Sequence, residues 1–128
     1  MIARILSEDH PNMSGDLYDL LDLNRIIVPG HWTIELSNAL ATNIRRGRIS
    51  MADLDAIAGL VAKFEVTVDT PISLAEIATL TTFADAHGLT VYDASYVKLA
   101  AERGAPLATV DAKMRTVAQK LQIPLIPS

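Results

Sequence analysis

Leu89-Thr90-Val91-Tyr92-Asp93-Ala94-Ser95-Tyr96 runs on to Gly104-Ala105-Pro106-Leu107-Ala108-Thr109-Val110-Asp111. The first part reads as a helix from Thr90 to Arg103 with Gly104 behind it. The second reads as a strand from Pro106 to Val110, followed at once by a helix from Asp111 to about Lys120 with Met114, Val117 and Leu121 inward. A helix that feeds a strand and then another helix is a crossover connection. Such connections build a mainly parallel sheet covered by helices on both faces. The stretch also sets one acid, Asp93, at a helix start and another, Asp111, directly after a strand.

The rest of the chain repeats the alternation. Ile26-Ile27-Val28 reads as a buried strand ended by Pro29-Gly30, and Glu65-Val66-Thr67-Val68 as a second. Pro124-Leu125-Ile126 is a last strand. A helix from about Thr33 to Arg46 has Leu36, Leu40 and Ile44 on its apolar side and Gly47 as its stop. Ser50 with Asp53, and Ser73 with Glu76, have the form of capping boxes. They open helices carrying Leu54, Ile57 and Val61 in one case, and Ile77, Leu80 and Ala84 in the other, the latter closed by His87-Gly88. Near the start, Leu17, Leu20 and Leu21 follow Ser14 at helical spacing. The expectation is one α/β domain over residues 1–128, without repeats or linkers.

Composition excludes several functions. The 128 residues hold 11 basic and 15 acidic side chains, a net charge of -4, which argues against a general nucleic-acid footprint but leaves room for a local patch. There is no cysteine, so disulfides, thiolate zinc sites and cysteine nucleophiles are out. No apolar run approaches the roughly 20 residues that span a bilayer, and the first residues turn acidic too early for a signal peptide. A cytoplasmic protein without a membrane role is expected.

Glu35 is the third acid of interest. At 100° per residue Glu35, Asn38, Thr42 and Arg45 share one side of their helix, opposite Leu40 and Ile44. That side reads either as a solvated polar face or as a metal-ligating carboxylate beside an amide. Arg45, Arg46 and Arg48 read either as solvated charges or as a phosphate-facing patch. Thr90-x-x-Asp93 is itself a capping box in form, and Asp111 has the position of an N-cap, so each acid alone has a structural reading. Their joint placement counts for more. In a parallel sheet ligands bind beyond the carboxyl ends of the strands, and converging carboxylates without basic partners are relieved by Mg²⁺ or Mn²⁺. The histidines show no ligand spacing. Trp32, Tyr92 and Tyr96 read as core or interface aromatics.

In their order and separations, Val28-Pro29, Glu35-Leu36-Ser37-Asn38-Ala39-Leu40, Arg46-Gly47-Arg48-Ile49-Ser50, Gly88 to Tyr96 and Gly104 to Asp111 resemble the PIN domain. Within it they resemble the VapC-type toxins of toxin–antitoxin pairs. The resemblance implies a PIN-like fold and a metal-dependent endoribonuclease, a hydrolase cutting single-stranded RNA, usually a homodimer, held inactive by a cognate antitoxin. It implies Glu35, Asp93 and Asp111 as metal ligands for Mg²⁺ or Mn²⁺, Thr109 as the hydroxyl residue two places before the last acid, and Asn38 as a companion of the glutamate.

The sequence departs from the family at its start. The family opens with a central strand ending in an aspartate, and that aspartate would fall a few residues before Met1. The expectation is therefore a chain that lacks this strand and acid, through a misplaced start codon or a real truncation. Codons upstream of Met1 test the first version. Two other readings stay open: a catalytically inactive PIN-like protein that only binds an antitoxin or itself, and a phospho-receiver domain. The latter needs paired acids near the N-terminus and a strand-end lysine, and the order of residues supplies neither convincingly.

Overall fold

The computed structural model describes residues 2–3, as backbone, and residues 25–128. The helix expected after Ser14 lies outside the described residues. Five strands form one sheet: β1 Ile2–Ala3, β2 Ile26–Val28, β3 Val66–Val68, β4 Leu107–Ala108 and β5 Leu125–Ile126. Every pairing is parallel and the order is β3-β2-β1-β4-β5. Ile2 sits opposite Ile27 on one side and Leu107 on the other, and Ala3 faces Ala108.

This corrects one expectation. The central strand is not missing; Ile2–Ala3 fills it. Two residues are enough because a strand's backbone groups serve both neighbours, so β2 and β4 each find a ladder partner there. Two residues are also too few to show a period of two, which hides the strand in the sequence. Whatever follows β1 in the chain begins at Arg4, outside the described residues, and so does any counterpart of the family's first acid.

Helices make the crossovers: α1 Trp32–Arg45, α2 Leu54–Lys63 with a 3-10 turn Met51–Asp53 before it, α3 Ile77–His87 with a 3-10 turn Leu74–Glu76 before it, α4 Val91–Arg103 and α5 Ala112–Lys120. Two of the three capping boxes read from the sequence form in full, Ser50 with Asp53 and Ser73 with Glu76. Gly104 ends α4 at φ +59°, a left-handed position where a Cβ is strained.

The core runs through Ile26, Val28, Leu107 and Ala108 of the sheet, Ala94, Tyr96, Val97 and Ala100 of α4, and Met114 and Val117 of α5. Several predicted faces shift. Ile77 and Leu121 are exposed, and α2 holds no fully buried residue. In α1 the fully buried positions are Trp32, Ala39, Thr42 and Asn43, with Leu36, Leu40 and Ile44 half-buried. Thr42 thus leaves the polar side predicted for it. Tyr92 is exposed, whereas Trp32 and Tyr96 are core as expected.

Candidate active site

The sheet order reverses direction between β1 and β4. The chain steps outward from β1 to β2 and β3, then returns across to β4 and β5. At such a switch point the loops on either side leave in opposite directions and open a crevice at the carboxyl ends of the strands. Thr109 and Asp111 follow β4 directly and stand at that edge.

Asp111 is the N-cap of α5. Its Oδ1 accepts from Met114 N at 2.9 Å, and its own N–H donates to Thr109 Oγ1 at 3.1 Å. The Thr109 hydroxyl, 1% exposed, therefore folds the turn that presents Asp111. Arg115 steadies the same turn, donating to the Thr109 carbonyl at 2.9 Å and to the Pro127 carbonyl at 2.7 Å.

Asp93 lies in the first turn of α4. Thr90 Oγ1 accepts from Asp93 N at 3.1 Å, but only this half of the box forms. Asp93 is half-buried, where Asp53 and Glu76 of the two full boxes are exposed.

Glu35 stands in the first turn of α1, its side chain 25% exposed. Its Oε1 accepts from the Tyr96 hydroxyl at 2.7 Å. His31 Nε2 lies 3.0 Å from the same oxygen, without the alignment of a hydrogen bond; that nitrogen is buried and lacks a hydrogen-bond partner. The His31 ring is met edge-on by Tyr92 at 5.5 Å and Tyr96 at 5.6 Å. Sequence reading missed both His31 and Tyr96. The signals were there: His31 and Glu35 are four apart across a helix start, and Tyr96 is three on from Asp93.

Asn38 is exposed. Arg45, Arg46 and Arg48 are exposed too; Arg45 also reaches Thr42 Oγ1 at 3.5 Å and Arg48 reaches Asn43 Oδ1 at 3.4 Å. Beside His31 a cleft of about 300 Å³ opens between the turn after β2, the segment 69–72 and α4, with Ile72 and Tyr92 among its lining residues. Gly30 makes that turn possible. A Cβ there would lie 2.8 Å from Pro71 N and 2.9 Å from Asp69 O.

For a divalent ion the donor chemistry fits: carboxylate oxygens are hard ligands of the kind Mg²⁺ and Mn²⁺ take. A ready cage is not present. Among the described residues no three His, Asp or Glu side chains are grouped closely enough to hold a metal. No helix among them is long and apolar enough to cross a membrane.

A family model of the PIN domain matches residues 2–120. No curated protein is significantly similar in sequence. Among solved structures the fold is similar to the crystal structure of PAE2754 from Pyrobaculum aerophilum, at TM-score 0.60 and 23% identity, covering 94% of this chain and 88% of that one.

Proposed function

Because the chain belongs to the PIN domain family, which is generally a family of nucleases that typically use divalent metals, we propose that it is an endoribonuclease toxin cutting single-stranded RNA. The observation that carries this reading is the placement of Thr109 and Asp111 at the carboxyl edge of the switch point. With it goes the bond from Tyr96, on the helix of Asp93, to Glu35.

The reaction is hydrolysis of a phosphodiester. Glu35, Asp93 and Asp111 are the carboxylates that would hold Mg²⁺ or Mn²⁺. When bound, such an ion supplies charge stabilisation for the phosphate and lowers the pKa of a bound water. The chain's own residues supply position. Thr109 holds the turn of Asp111 and Thr90 the start of the helix of Asp93. The exposed Arg45 or Arg46 would contact phosphates of the strand. A cognate antitoxin would keep the protein inactive, and the working form would be a homodimer in the cytoplasm.

The test is RNA cleavage with Mg²⁺ or Mn²⁺, with and without chelator, for the wild type and Asp93→Asn. Cleavage lost in the variant and in chelator supports the reading; equal cleavage by Asp93→Asn sinks it. The absence of a three-donor cluster among the described residues favours one alternative, a PIN-like protein that binds an antitoxin or itself without catalysis. Purified protein that binds an antitoxin yet shows no metal-dependent cleavage would establish that alternative.

A further inference from the structure

We propose that Tyr96 is a positioning residue for Glu35, fixing through its hydroxyl the carboxylate that would take the divalent ion. The proposal rests on the reading of Glu35 as a metal ligand.

Tyr96 is 1% exposed and belongs to the largest fully buried side chains of the protein. Packing alone would be served by phenylalanine. A buried phenol brings a polar hydroxyl that costs free energy unless it has an acceptor. Here it donates to Glu35 Oε1 across 61 positions of sequence at 2.7 Å, the length of a hydrogen bond to a charged oxygen. The donor is rigid, because α4 is anchored by Ala94, Val97, Leu99 and Ala100, all buried. The acceptor is Glu35, a long side chain, partly exposed, on a helix start. The bond therefore transfers order from the core to the carboxylate.

It also links two elements of the candidate site. Tyr96 is one turn beyond Asp93 on the same helix, so it ties Glu35 of α1 to the helix of Asp93. His31 Nε2, 3.0 Å away, reaches the same Oε1. Groups that orient a ligand in this manner govern affinity although they never touch the ion.

The experiment is a Mn²⁺ titration of the metal-free full chain by calorimetry, with thermal melting alongside. The proteins are wild type, Tyr96→Phe, Glu35→Gln and the double variant. Tyr96→Phe is expected to weaken Mn²⁺ binding by about 10–100-fold, with melting close to wild type. In the Glu35→Gln background the same change is expected to alter binding by less than about 2-fold, since the two side chains act as one unit. Wild-type affinity in Tyr96→Phe overturns the proposal, and so does an equal loss in the Glu35→Gln background, which would mean an effect through packing. A wild type that binds no Mn²⁺ defeats the metal-enzyme reading and this role with it. A wild type that binds while Tyr96→Phe binds equally defeats this role alone. Should Tyr96→Phe fail to fold, Glu35→Asp leaves the buried ring intact and draws the carboxylate back by one methylene. Undiminished Mn²⁺ affinity in that variant overturns the proposal.

Discussion

Asp53 accepts from Ser50 N at 2.8 Å and Ser50 Oγ at 3.1 Å, and Glu76 accepts from Ser73 N at 3.2 Å and Ser73 Oγ at 3.0 Å. The backbone bonds first, and the hydroxyl bonds second, hold both carboxyls below their ordinary pKa values. A depressed folded pKa means stability that is present above the unfolded value and lost as pH falls through the folded one. Asp53→Ala is thus expected to melt below wild type at neutral pH, with the gap closing in acid beneath the ordinary carboxylate range; melting curves across pH check it. At this scale Thr90-x-x-Asp93 looked the same as the other two boxes. Spacing places a carboxyl within reach of a cap, but α4 carries only the Thr90 half of the box, where Ser50/Asp53 and Ser73/Glu76 carry both halves. That difference was not legible in the residues. The candidate acids themselves were; the bond of Tyr96 to Glu35 was not, because the two lie 61 positions apart on different helices.

At the scale of elements, the turn between β2 and α1 lies against the segment 69–71 so closely that Gly30→Ala must push the two apart. A loss of about 1–3 kcal/mol is expected, as for other overpacked sites, and urea unfolding measures it. For α5, Asp111 serves both cap and candidate site. Asp111→Ala is expected to cost about 1 kcal/mol from the lost cap. Asp111→Asn keeps an oxygen for Met114 N, so urea unfolding should find it near wild-type stability while RNA cleavage is lost. Full cleavage by Asp111→Asn would separate this residue from the chemistry. Element order was readable from the alternation of strands and helices, and boundaries less so. Pro106 to Val110 reads as five strand residues, yet among the described residues only Leu107–Ala108 pairs. Ile77 takes a helical apolar position but ends up 50% exposed. Periodicity marks a face without saying what covers it.

For the whole molecule, apolar side chains left in solvent include Leu74, 88% exposed, Ile34, 73%, and Met51, 68%. They give the expected homodimer material to bury. Sedimentation is predicted to show a species of twice the 13.8 kDa chain mass, and a monomer at all concentrations contradicts it. The parallel sheet also gives the molecule two unlike ends, one where its strands begin and one where they finish. The central β1 begins at the first, and β5 finishes at the second, where Arg115 bridges the Thr109 and Pro127 carbonyls. A fusion joined ahead of Ile2 therefore departs from the end remote from Asp111. One joined after Ser128 emerges beside it, and an affinity tag or surface linker placed there would crowd the approach of a strand of RNA.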